Sequence, residues 1–322
     1  MKFGILQFFS WPDRRVELHT VYERALQRIE IMERAGYDAV WLTEHHFNDY
    51  SVCPSIPVMG AYAAARTKRL RIGAAVTLAA LYHPLRLAEE IALLDILSGG
   101  RVNWGAGRGF DLREFKTFGI APEASGARFH EAVEIVFRAW RDEKLTFKSE
   151  HFSFENVEVL PKPLQRPHPP MWAAASTNEA IEWASSGGYS ILMNPHSTHS
   201  ELGEQRRLYQ KRLEEHGYSI AGRDIPMARL VAIAPTDAEA ADVAREGAKW
   251  LLRTYVTPRG ATSAGDLLER YVSSVVIHGT HERVVDEIER LRAEIGLEYL
   301  IGAPLSHQSF VSFTDLVVPR LA

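Results

Sequence analysis

Short apolar runs alternate along this chain with longer stretches whose apolar residues recur every three to four positions. Residues 2–9 (KFGILQFF) predict a strand. In residues 17–35 the apolar Leu18, Val21, Ala25, Ile29 and Met32 share one helical face, and Gly36 stands where a helix ends. The same alternation predicts strands at 38–43, 70–78 and 101–106 and helices at 57–67, 85–97 and 127–141. Residues 144–160 then read as short antiparallel strands. Pro161, Pro163, Pro167, Pro169 and Pro170 make an extended connector that cannot be helix interior. Strands at 171–175, 189–193, 229–234 and 298–301 follow, with helices at 178–185, 201–216, 238–253 and 283–295. A polar, glycine-containing loop at 257–264 is expected to be mobile. Eight strands and eight following helices predict one α/β domain over 1–322, a (β/α)8 TIM barrel with insertions after its fourth and seventh strands. Chemistry in such a barrel sits where strands end.

Composition narrows the function. The 322 residues carry 37 Lys+Arg against 41 Asp+Glu, a net charge of −4 that argues against a nucleic-acid partner. Cys53 stands alone, which excludes an intramolecular disulfide and a cysteine zinc site. No apolar run approaches the roughly 18 residues of a membrane span, and the first nine residues lack a leader pattern. A cytoplasmic enzyme is expected.

The predicted strand ends carry the candidate chemistry. Thr43-Glu44-His45-His46-Phe47 leaves the second strand. Adjacent strand residues point to opposite sides, so one of the two histidines at most faces the rim. Histidine exchanges protons near neutral pH and is a candidate acid or base; the alternative is a structural histidine beside Glu44. Two neighbouring histidines chelate a metal poorly, and no metal site is expected. Gly105-Ala106-Gly107-Arg108-Gly109 ends the fourth strand, letting backbone approach a flat or phosphorylated ligand beside the Arg108 fork. Its spacing is not a dinucleotide fingerprint. Ser176-Thr177-Asn178-Glu179 reads as a capping box from Ser176 to Glu179, and equally as a phosphate site at a helix N-terminus. Arg128 could add charge there, and His83-Pro84 opens a helix.

Trp41-Leu42-Thr43-Glu44-His45-His46-Phe47, His83-Pro84-Leu85-Arg86, Ser98-Gly99-Gly100-Arg101 and Gly105-Ala106-Gly107-Arg108-Gly109 resemble the bacterial luciferase-like flavin-dependent monooxygenases, as does Gly279-Thr280 before the last long helix. The resemblance implies reduced FMN as cosubstrate, O2 as oxidant, a flavin C4a-peroxide, and a two-component system in which a separate flavin reductase supplies the reduced FMN. A small organic substrate and a homodimer formed by the second and third helices are implied too. By this resemblance His45 is catalytic. Arg108, Ser176 and Thr177 hold the flavin phosphate, Ala75 and Val76 back the ring through a non-proline cis peptide, and Met193 and Asn194 lie beside it. Phe8, Phe9, Trp11, Phe47, Tyr82 and Phe110 would line an apolar substrate space. The luciferase family's reactive cysteine is replaced by Gly107 and its acidic residue before the phosphate-site serine by Ala175, and its long loop is shortened around 257–268. Light emission is therefore not implied. A deazaflavin-dependent hydride transfer and a non-catalytic flavin-binding accessory subunit remain as alternatives.

Overall fold

The computed structural model describes residues 1–254 and 264–322. The predicted loop at 257–264 falls outside the described residues except for Ala264, as does 257–263 of the shortened segment.

The strands are β1 (Lys2–Gln7), β2 (Ala39–Leu42), β3 (Arg71–Ala74), β4 (Thr77–Leu78), β5 (Val102–Gly107), β6 (Leu145–Lys148), β7 (Ser153–Val157), β8 (Met171–Ala174), β9 (Ser190–Leu192), β10 (Pro226–Ile233), β11 (Val276–Gly279) and β12 (Tyr299–Pro304). The longer helices are α1 (Leu18–Ala35), α2 (Ile56–Arg66), α3 (Pro84–Ser98), α5 (Ser125–Arg141), α6 (Asn178–Ser186), α7 (His199–Glu215), α8 (Asp237–Thr254), α9 (Ala264–Ser274) and α10 (His281–Ile295); α4 (Leu112–Thr117), α11 (His307–Ser312) and α12 (Val318–Leu321) are short.

Nine strands form one curled parallel sheet in the order β11-β10-β12-β1-β2-β3-β5-β8-β9, with β4 added beside β5. The alternation predicted eight of these strands and missed β11, a short Val-Ile run just before the α10 cap. β6 and β7 pair as a separate antiparallel hairpin. Parallel strands covered on both faces need continuous apolar sequence, and all eight residues of β10 are buried. Among the described residues, no helix is long and apolar enough to cross a membrane.

Side chains alternate across each strand and so feed two cores. Phe3, Ile5, Val40 and Ile72 belong to a cluster shared with Ile29, Leu87 and Ile91 of the covering helices. Leu6, Trp41, Trp172, Leu230, Tyr299 and Ile301 form the second. Trp41 dominates that second core because its neighbours yield space. A Cβ at Gly73 would lie 2.5 Å from the Trp41 ring, and one at Gly4 would lie 3.0 Å from it. The indole Nε1 donates to the Tyr299 hydroxyl at 3.1 Å, which donates in turn to the Asp38 carboxylate.

Just past β9, one end of the strand path, the chain comes back to β10, next to the other end. An isolated parallel bridge joins Met193 to Met227 of β10, and the fully buried Arg229 fastens the joint. Its guanidinium donates to Ser197 O at 2.8 Å, Asn194 O at 3.0 Å and Val275 O at 3.4 Å. Burial pushes its pKa down to about 9, still leaving it charged at neutral pH. That fixed cation faces His199, whose Nδ1 is 3.3 Å away. Burial first, and Arg229 second, push the pKa of His196 down to about 3 and that of His199 down to about 4.

Two outcomes follow. Gly73→Ala should lower the unfolding free energy by about 1–3 kcal/mol, the range for overpacking, measured by urea denaturation. Acid should destabilise the chain because the unfolded state protonates His196 and His199 near pH 6.5 while the folded state resists. Stability is therefore complete above pH 6.5 and falls as pH drops from there towards 4, by up to about 1.4 kcal/mol per pH unit for each histidine. A series of melts across pH 4–7 checks this, and His196→Gln should flatten the slope.

Candidate active site

The rim is built at the C-terminal ends of β2, β3, β5, β8 and β9, which follow one another in the sheet. The backbone between β3 and β4 carries a cis peptide between Ala75 and Val76, as the resemblance implied. It lies hard against β5: a Cβ at Gly105 would fall 1.9 Å from Ala74 O, and one at Gly107 would fall 2.5 Å from Val76 Cγ2. The glycines therefore serve a chain-to-chain approach. Thr77 donates to Gly105 O at 3.0 Å and accepts from the Trp104 indole at 3.0 Å, locking the segment in place.

From the end of β2 the three polar residues diverge. Glu44 is buried at 1% exposure. It accepts from the Tyr82 hydroxyl at 2.8 Å, and more weakly from His46 Nε2 and Leu78 N, both at 3.4 Å. Burial pushes its pKa up, against the pull of these donors. His46 is therefore the structural partner of Glu44, with its ring edge-on to Phe118 at 4.9 Å. His45 goes the other way. Its backbone N–H donates to Cys53 O at 3.1 Å, its ring meets Tyr50 edge-on at 5.0 Å, and its Nδ1 stands 3.9 Å from Glu114 Oε1. The buried Glu114 also accepts from His46 N at 2.8 Å, so one carboxylate of α4 spans both histidines. Across the cluster, His196 Nδ1 and the Tyr271 hydroxyl are 2.8 Å apart, and His196 is close enough to His45 to feel its charge.

The other predicted site residues separate. Arg108, Ser176 and Thr177 are exposed, and Arg108 has no carboxylate partner among the described residues. His130, stacked on Trp183 of α6 at 4.6 Å, has its pKa lowered by burial first and by Arg108 second. Arg108 and α6 thus share one side of the rim. The cap of α6 is Thr177, which accepts from Ala180 N, rather than the expected Ser176. Ser176 is left outside the helix as a free-standing hydroxyl one residue earlier. Asn194 organises the β9–α7 turn, its Oδ1 accepting from His196 N and Ser197 N at 2.9 and 3.0 Å. Met193 is fully buried in the core, and its backbone pairs with β10: its N–H donates to Pro226 O at 2.9 Å and its O accepts from Ala228 N at 3.0 Å.

Several candidates belong elsewhere. His83 is exposed and packs on the β6–β7 hairpin through Phe154 at 5.5 Å. Arg128 donates to Ala80 O and lies over Phe152. Phe9 is plain core, whereas Phe47 and Phe110 are exposed. Phe8 meets Tyr50 at 5.2 Å. Glu114, Tyr50, His196 and Tyr271 escaped the sequence reading. For Glu114 a signal existed: Asp111, three residues before it, caps α4 by accepting from Arg113 N.

Comparisons with known proteins bear on the family and the fold. Residues 1–299 match the family model for luciferase-like monooxygenases. An uncharacterized protein, y4wF, of Sinorhizobium fredii (strain NBRC 101917 / NGR234) is 42% identical over 170 residues, 53% of this chain and 50% of that protein. The chain thus spans half the length of that relative. The alkanal monooxygenase alpha chain of the Kryptophanaron alfredi symbiont is 27% identical over 83% of this chain and 73% of its own. Among solved structures, the monooxygenase RslO1 from Streptomyces bottropensis superimposes with a TM-score of 0.88 at 27% identity, covering 100% of both chains. The chain belongs to the luciferase-like monooxygenase family.

Proposed function

We propose that the protein is a flavin-dependent monooxygenase that takes reduced FMN and O2, oxygenates a small organic substrate, and relies on a separate flavin reductase. In this reading the curled sheet is a (β/α)8-type barrel, joined at Met193–Met227, with hairpin β6–β7 and the segment after α8 as its insertions. The carrying observation is His45 just past the end of β2, the strand whose Leu42 O accepts from Ala75 N at 2.7 Å, with its Nδ1 3.9 Å from Glu114 and its ring against Tyr50. The donor set fits FMN. An unpaired guanidinium at Arg108, the hydroxyls of Ser176 and Thr177 and the open N-terminus of α6 suit a doubly charged phosphate. Ala75 and Val76 offer a half-exposed apolar shelf for a ring, and Asn194 is partly exposed along the same rim. When bound, reduced flavin supplies the electrons that activate O2.

The chain's own groups bind, orient and move protons. Arg108, Ser176 and Thr177 anchor the phosphate. Val76 and the partly exposed Asn194 set the ring's plane. His45 holds or delivers a proton at an imidazole nitrogen near the reacting centre, and Glu114, 3.9 Å from Nδ1, orients that ring. Phe8 and Tyr50 keep the approach apolar, which limits water.

A homodimer through α2 and α3 is part of the proposal. Val58 and Tyr62 on α2 and Leu93, Ile96 and Leu97 on α3 are large, apolar and exposed, with Val58 at 72% and Leu97 at 61%. Clustered exposure of this kind marks an interaction surface.

Anaerobic titration should show saturable binding of reduced FMN, at least about tenfold tighter than of a reduced deazaflavin, a difference of roughly 1.4 kcal/mol. His45→Ala should keep that binding and lose most product formed per flavin oxidised; unchanged yield would remove His45 from the mechanism. Light scattering should give twice the 36.3 kDa chain mass, and Val58→Glu with Leu97→Glu should return it to one.

A further inference from the structure

Away from the rim residues, a cavity of about 1050 Å³ opens between α1 and α8 beside β1, β10 and β12. That volume is at the upper end for small-molecule pockets. Its walls are mainly apolar, with Phe8, Val21, Leu230, Val243, Trp250 and Leu305 among them. His45, Val76, Arg108 and Asn194 do not line it.

The charges on its walls do not balance locally. Asp13 is held by Arg15 at 2.6 Å and by Arg253 at 2.8 Å. Lys249 holds Glu246 at 2.7 Å, and Arg245 holds Asp242 at 3.2 Å. Every acid on the cavity wall is thus taken. Arg24 and Arg28 also line the cavity and have no carboxylate partner among the described residues. They stand one turn apart on α1, where like charges oppose the helix. Arg28 lies over the Phe310 ring at 5.4 Å, and its Nε has no hydrogen-bond partner. Burial first, and the charge of Arg24 second, lower its pKa. Gln7, 3% exposed, lines the same space with an unpaired Oε1, although its Nε2 donates to Phe8 O. Two bare cations and one bare acceptor at the walls of an apolar cavity describe a ligand. Its acid group meets a guanidinium fork, its body is apolar, and a hydroxyl or N–H on it can reach Gln7.

We infer that this cavity binds an organic anion with a flat apolar body, the acid group held by Arg24 and Arg28 and the body lying against Phe8 and Trp250. Aromatic walls favour a flat body by stacking and edge contacts. The inner end adjoins the rim. Trp250 stacks on Tyr50 at 5.6 Å with 15° between planes, and Tyr50 meets His45. Two ring layers, Trp250 and Tyr50, therefore stand between such a ligand and the imidazole, so the anion site lies beside the reacting centre and not in it.

Calorimetric titration of the flavin-free protein with 2-naphthoate and with its neutral isostere 2-naphthamide tests the site. The acid should bind at least about tenfold tighter than the amide. Arg24→Gln with Arg28→Gln should erase that preference. Arg28→Lys should keep most of it, and Val243→Trp should block both ligands by filling the apolar middle. Thermal melts identify any variant that fails to fold, and the single Arg24→Gln, at an exposed position, then reads the charge effect by a several-fold loss. Equal affinity for acid and amide, or a preference that survives the double substitution, would overturn the inference. Naphthoate bound through the arginines in a chain that takes no reduced FMN would uphold the anion site and sink the oxygenase reading. A chain that takes reduced FMN but not naphthoate would do the reverse.

Discussion

The rim depends on how closely the Ala74–Thr77 backbone can lie against β5. With no side chain at Gly105 and Gly107, the two chains touch at distances that any Cβ would forbid. Thr77 then ties the approach with one bond to Gly105 O and one from Trp104. This contact turns Val76 onto the rim and brings Leu78 N and Tyr82 to the buried Glu44. Glu44 in turn fixes His46, and with His46 held away His45 is free to face Tyr50 and Glu114. A steric allowance in β5 thus sets the orientation of an imidazole two strands away in the sheet.

Electrostatics stabilise the opposite side of the rim by different means. There a fully buried guanidinium, Arg229, takes the carbonyls of Asn194, Ser197 and Val275 that the strand ladders leave over. Buried charges of this sort hold only when their hydrogen bonds are satisfied. The same cation, together with burial, keeps His196 and His199 neutral. His45 accordingly stands near an uncharged neighbour.

Most of the frame was legible because parallel strands and their covering helices differ in period, as β1 with α1 and β5 with α5 illustrate. β11 was not legible: its four residues sit between α9 and the α10 cap, and only their pairing with β10 makes them a strand. Boundaries slipped where two caps compete, as at Ser176 and Thr177. At the site, Glu44-His45-His46 and the glycines around Arg108 were visible because several unusual residues fall together. His196, Tyr271 and Arg229 were hidden for a common reason. Each is an ordinary polar residue in its own segment, and its meaning comes from partners between 30 and 75 positions away, such as Tyr271 for His196 and Ser197 for Arg229. Their burial is a tertiary fact with no local signature.

The central claim is that the β3–β5 contact presents a shelf for a flavin ring beneath His45. A crystal structure of the protein grown anaerobically with reduced FMN tests it most directly. The account predicts the ring against Ala75–Val76, its phosphate between Arg108 and the Ser176–Thr177 turn, and the His45 imidazole over the ring. A flavin seated instead between α1 and α8, or an imidazole turned away from a ring bound at the rim, would contradict it.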